Sequence, residues 1–80
     1  MNVRIEDSNG TVLFTSGFPD DAVMDPATVI ANYLGSDVVT EEVSWQEEAN
    51  GCYDYRVVFF DDLESPESIA ASGGFVLVDG

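Results

Sequence analysis

From Cys52 to Phe60 the chain alternates, with Tyr53, Tyr55, Val57 and Phe59 on one side of an extended backbone and Asp54 and Arg56 on the other. Side chains of a β-strand point to opposite faces in turn, so a period of two fits a half-buried strand and no helix. Val57 to Phe60 is also, with Phe75 to Val78, one of the two longest uninterrupted apolar runs, far short of the roughly 20 residues needed to span a bilayer. A strand with one apolar face needs neighbours, and the remaining sequence supplies them.

Val3 and Ile5 alternate with Arg4 and Glu6, Ser8-Asn9-Gly10 offers a turn tolerant of positive φ, and Thr11 to Thr15 resume an extended apolar pattern. Together these predict a β-hairpin. After a loop at Gly17 to Asp21, Asp25-Pro26 reads as an N-cap with proline at the first helical position. Val29, Ile30, Tyr33 and Leu34 form one apolar stripe, and Gly35 closes it as a C-terminal cap. Val38 to Gln46 return to period two, with Val39, Val43 and Trp45 on one face and Thr40, Glu42, Ser44 and Gln46 on the other. Only Glu41 breaks the apolar face, which places it at an edge or bulge, because an unpaired buried carboxylate costs several kcal/mol. Glu47 to Gly51 read as an acidic turn. Ser65-Pro66-Glu67 reads as the cap of a short helix reaching Ala71, before a last strand from Phe75 to Val78.

The predicted order is therefore β-β-α-β-β-(short α)-β, an α+β fold over residues 1–80. One main helix covers one face of an antiparallel sheet of about five strands and leaves the other face wet. Tyr53, Tyr55, Phe59 and Trp45 share strand parity with the valines and are assigned to the core. The alternative is an exposed aromatic patch inside an acidic rim, where the aromatic anchors binding and the acids steer it.

Charge then narrows the function. The 80 residues carry 16 Asp and Glu against two Arg, with no His, for a net charge of −14. Five Phe, three Tyr and one Trp argue for a folded chain rather than an acidic tail. Repulsion of this size works against the compact state and points to solubility, salt tolerance or attraction to a basic surface. The single cysteine, Cys52, cannot form an internal disulfide, and Met1-Asn2-Val3-Arg4 does not open like a secretory signal. A cytoplasmic location follows as the expectation, and anionic lipid would repel the chain.

Catalysis is poorly supported. A Cys52 nucleophile would lack a histidine base, and the many carboxylate pairs carry no specificity for hydrolysis. No glycine-rich phosphate loop is present. Asp20-Asp21 and Asp61-Asp62-Leu63-Glu64 offer oxygen ligands for Ca²⁺ or Mg²⁺ without the spacing of an EF-hand loop, so no metal or other cofactor is expected.

The carboxylates themselves are the candidate site. Glu6, Glu42 and Asp54 fall on polar strand positions, and Asp7, Asp20, Asp21, Glu47, Glu48, Asp61, Asp62 and Glu64 in turns. Carboxylates two apart on a strand are about 6.6 Å apart, and adjacent strands add rows about 4.8 Å away. Such rows can imitate a duplex, which carries about one charge per 1.7 Å of axis. Arg4 and Arg56 are expected to pair with neighbouring acids. In size, acidity, mixed α/β pattern and lack of catalytic groups the chain resembles phage-encoded DNA-mimic inhibitors: anti-CRISPR proteins, anti-restriction proteins and uracil-DNA glycosylase inhibitors. The resemblance covers the whole chain as composition and shares no motif. It implies a basic, nucleic-acid-binding partner such as a CRISPR effector complex in a bacterial cytoplasm, and no direct binding of nucleic acid. The competing expectation is a salt-adapted structural or interaction domain, and the discriminator is whether the charge gathers on one face or spreads evenly.

Overall fold

The computed structural model describes residues 2–19, 25–35, 37–60 and 69–78, with 69–71 as backbone. Strands β1 (Asn2–Asp7) and β2 (Val12–Gly17) form the expected hairpin, followed by helix α1 (Pro26–Leu34), strand β3 (Thr40–Val43), helix α2 (Trp45–Ala49), and strands β4 (Tyr55–Phe60) and β5 (Ile69–Leu77). All pairings are antiparallel, and the sheet order is β2-β1-β4-β5-β3. The α+β expectation holds, with the alternating apolar strand at the sheet centre.

The hairpin turn is organised by Asp7, whose carboxylate accepts from the backbone N–H groups of Asn9 and Thr11 at 2.9 Å each. Gly10 takes the positive φ of 84° that L-residues resist. Helix α1 begins as expected: the Asp25 carboxylate accepts from Thr28 N at 2.7 Å, Pro26 follows it, and Gly35 ends the helix at φ 99°. The Thr28 backbone N–H, with the Thr28 side chain next, holds the Asp25 carboxyl below its ordinary value of 3.8. A group whose folded-state pKa is lowered stabilises the fold above its unfolded pKa and loses that effect as pH falls through the folded value. Asp25→Ala is therefore expected to melt at a lower temperature than the parent at pH 7, with the gap closing as the pH drops below about 4. Melting curves of both proteins across that range check it. The gap isolates the cap, because the relief of self-repulsion in acid is common to both.

The core lies between the sheet and α1. Val3 and Ile5 of β1, Val57 and Phe59 of β4, Phe75 of β5, and Val29 and Ile30 of α1 are buried together, with Phe18, Leu34 and Tyr55 packed against them. Register explains the set, since Val3 lies across from Phe59, Ile5 from Val57 and Tyr55 from Phe75. Tyr55 and Phe59 thus join the core as expected.

Three expectations are corrected. The segment from Val38 to Gln46 is not one strand. Ser44 accepts from Glu47 N at 3.3 Å while the Glu47 carboxylate accepts from Ser44 N at 3.1 Å, and this capping box turns the chain into α2. Trp45 thereby leaves strand parity and is 74% exposed instead of buried, while Val39 is exposed and Tyr53 sits before β4, half-buried and outside the core.

The second correction concerns the short helix expected to reach Ala71. Ser65, Pro66 and Glu67 lie outside the described residues, but Ile69, Ala70 and Ala71 belong to β5. There Ile69 pairs with Phe60 and Ala71 with Phe59, with one register shift between them. A long ladder against the most apolar strand outweighs a turn or two of isolated helix, whose nucleation is unfavourable.

Third, the face opposite α1 is not open. It carries buried Val58 and Phe60, and α2 rests on it. The consecutive glycines of β5 make both helix contacts possible. A Cβ on Gly73 would come within 3.0 Å of the Pro26 side chain of α1, and one on Gly74 within 3.0 Å of Val43 and 3.1 Å of Glu48. One glycine therefore admits a helix on each face of the same strand.

Candidate binding surface

Of the eleven carboxylates expected to contact a partner, Asp20, Asp21, Asp61, Asp62 and Glu64 lie outside the described residues. The other six do not form one row. Glu6 lies across from Arg56 on the face away from α1, whereas Glu42 lies across from Phe75 and so belongs to the α1 side. Asp54 precedes β4 and is tied to the sheet end, its carboxylate accepting from Leu77 N at 2.8 Å and its own N–H donating to the Phe75 carbonyl at 2.8 Å. The exposed-face row of Glu6, Glu42 and Asp54 fails because the register of β3 on β5 turns Glu42 over.

Most of the remaining candidates also serve the fold. Asp7 holds the hairpin turn and Glu47 the start of α2. Glu6 and Glu48 belong to an ion-pair chain with both arginines, as expected from the sequence. Arg4 Nε is 2.9 Å from Glu6, Arg56 Nη1 is 3.9 Å from the other Glu6 oxygen, and Arg56 Nε contacts Glu48. Both Nε atoms are buried and meet their carboxylates as charges in contact rather than as aligned hydrogen bonds. The Arg4 guanidinium also lies 5.4 Å from the centre of the Phe60 ring, a cation–π distance. Glu6 and Glu48 are only 13% and 11% exposed, so this chain of charges is neutral and mostly covered.

Both arginines of the protein are engaged there, and among the described residues no other carboxylate pairs with an arginine. Among the described residues, Asp37, Glu41 and Glu42 are exposed, and neither a hydrogen bond nor an ion pair ties them down. Glu41 occupies the edge strand β3, as its place in the sequence suggested. Glu41, Glu42 and Glu47 bracket the exposed Trp45 within seven residues. Trp45 also lines a shallow depression of about 370 Å³ with Glu48, Ala49, Tyr53, Arg56 and Ser72, where α2 meets the sheet. Sequence reasoning placed Trp45 in the core, and the signal that could have moved it to the surface is the Ser44-x-x-Glu47 spacing.

Among the described residues the charge is unevenly placed. Neither β2 nor α1 contains a charged residue, whereas β3 and α2 contain two acids each. Among the described residues, no cluster of three His, Cys, Asp or Glu side chains could hold a metal ion, and no helix is long and apolar enough to cross a membrane. Cys52 is an exposed free thiol in the loop before β4. The chain matches no family model, and it matches neither a curated protein nor a solved structure.

Proposed function

We propose that the protein works by occupancy, as a non-enzymatic inhibitor that lays a nucleic-acid-like negative surface on the basic groove of a nucleic-acid-binding protein. The observation that carries this reading is the exposed Trp45, with Glu41, Glu42 and Glu47 close to it in the sequence, in a chain whose two arginines are both spent on Glu6 and Glu48. An exposed tryptophan supplies the apolar anchor that most often dominates binding energy, and uncompensated carboxylates around it speed encounter and set orientation. Salt adaptation alone calls for carboxylates on every face, and the charge-free β2 and α1 favour mimicry over it.

The partner class is a defence or repair machine of the bacterial cytoplasm that grips DNA or an RNA–DNA hybrid with Lys and Arg, a CRISPR effector complex first among them. The surface centres on the edge strand β3 and on α2, with Glu41, Trp45 and Glu47 on the α2 side and Glu42 turned to the α1 side of the same edge, in place of the single sheet-face row. The inhibitor blocks access without touching nucleic acid, which its charge repels.

Purified CRISPR effector complexes, a restriction enzyme and uracil-DNA glycosylase, each assayed for binding with and without competing duplex DNA, test the proposal. One of them is expected to bind, to release the inhibitor as DNA or salt is added, and to lose affinity about 30-fold with Trp45→Ala, the equivalent of about 2 kcal/mol. Glu41→Lys with Glu42→Lys is expected to slow association and flatten the salt dependence. Binding that DNA does not displace, or that both variants leave unchanged, overturns the proposal.

A further inference from the structure

The two edges of the sheet are guarded differently. An edge strand presents unpaired N–H and C=O groups to any passing strand, and proteins blunt it with charges or proline. The β3 edge, Thr40–Val43, carries Glu41 and Glu42 and is protected in this way. The β2 edge, Val12–Gly17, reads Val-Leu-Phe-Thr-Ser-Gly, with neither a charge nor a proline. Val12 is 50% exposed, and Leu13 and Phe14 are 39% exposed. A register shift between Ile5 and Glu6 bulges the start of the strand, so Phe14 to Gly17 provide a regular stretch of four residues for pairing.

The neighbouring surface continues the same chemistry. Helix α1 also lacks charge, and its half-exposed Tyr33 has its ring centre 5.6 Å from that of Phe14. Between strand and helix runs a mostly apolar groove of about 470 Å³, lined by Phe14, Phe18, Val29, Asn32 and Tyr33.

We infer that this face is a homodimer interface, in which β2 of one copy pairs antiparallel with β2 of a second and the two sheets join into one of ten strands. Charge selects the occupant. A basic partner gains nothing from a neutral edge and is drawn to the acids of β3 and α2. Two copies of a chain bearing −14 repel each other on an acidic face, and β2 and α1 themselves carry no carboxylate, the nearest described ones standing at their ends, Asp7 in the turn before β2 and Asp25 at the N-cap of α1. A two-fold axis near Thr15 and Ser16 sets each Phe14 and Tyr33 beside the partner copy, and such a self-complementary contact closes at two. The guarded β3 edges at both ends of the joined sheet stop further growth.

Dimerisation then strengthens with salt, because screening removes repulsion between the copies while the apolar contact remains. This is the opposite sign to the salt dependence of the partner binding proposed above, so the two readings fail separately. The test is sedimentation equilibrium of the full chain at low ionic strength and at about 0.5 M NaCl, where the Debye length falls well below 10 Å. The parent is expected to approach twice its 8.6 kDa mass in high salt, with a dissociation constant at least tenfold lower than in low salt. Thr15→Glu and, independently, Leu13→Glu are expected to stay monomeric in high salt. Val39→Glu, which adds the same charge beside the far edge, is expected to dimerise like the parent. Circular dichroism identifies any variant that fails to fold, and the other β2 variant then decides. A monomeric parent at high salt overturns the inference, as does a dimer that survives both β2 substitutions or is broken by Val39→Glu.

Discussion

Phe75→Ala is expected to remove most of the stability of this protein. Phe75 is 2% exposed, lies across from Tyr55 on one side and Glu42 on the other, and joins the three strands β4, β5 and β3 beneath α1. Truncating a buried phenylalanine costs about 3–5 kcal/mol through lost burial and the cavity left behind. A chain of this length has roughly 4–12 kcal/mol to lose, at about 0.05–0.15 kcal/mol per residue, and self-repulsion places this one toward the lower end. Urea unfolding followed by far-ultraviolet circular dichroism is the appropriate readout, since the exposed Trp45 is a poor reporter of the core. Phe75→Leu, which keeps most of the volume, is expected to lose less than about 1.5 kcal/mol. A Phe75→Ala protein unfolding within about 1 kcal/mol of the parent would show that the residue does not hold the strands together.

Arg56→Ala is expected to have the second largest effect, about 1–3 kcal/mol. It falls between the roughly 0–1 kcal/mol of an exposed ion pair and the roughly 3–5 kcal/mol lost when one partner of a buried pair is removed. The Arg56 side chain is a third exposed, but the carboxylates it faces are far more covered, so its removal strands Glu48 and leaves Glu6 with Arg4 alone. Removing the stranded charge as well, in Arg56→Ala with Glu48→Gln, is expected to recover part of the loss. A double-mutant cycle in moderate salt separates this local coupling from the general effect of making the protein one unit more negative. Additive losses across the cycle would mean that the contact between Arg56 and Glu48 contributes nothing to stability.

The parts of the fold that were legible are those governed by local chemistry or by one dominant strand. Asp25, Pro26 and Gly35 mark α1 because capping depends on residues within a turn of each other. Asn9 and Gly10 likewise mark the hairpin. The period of two placed Val57 and Phe59 on the core side, and the pairing of Arg4 and Arg56 with acids followed from their scarcity. What misled was competition between patterns. Val39, Val43 and Trp45 keep strand parity through Ser44, yet the capping box there is stronger than the alternation. At Ile69 to Ala71, helix chemistry gave way to a ladder whose partner, β4, is remote in sequence. The carboxylate row failed for a related reason, because which side of the sheet Glu42 occupies depends on the register of β3 against β5. A one-residue change in register reverses every side chain on a strand, and no local signal near Glu42 sets it.

Helix α2 contributes no buried residue to the protein. It is mounted on the sheet by the cap between Ser44 and Glu47, the seat at Gly74 and the contact between Arg56 and Glu48. The outward residues Trp45, Gln46 and Ala49 can consequently be exchanged without disturbing the interior. Selection, or a designer, can retarget this surface by rewriting three positions while the scaffold beneath is inherited intact.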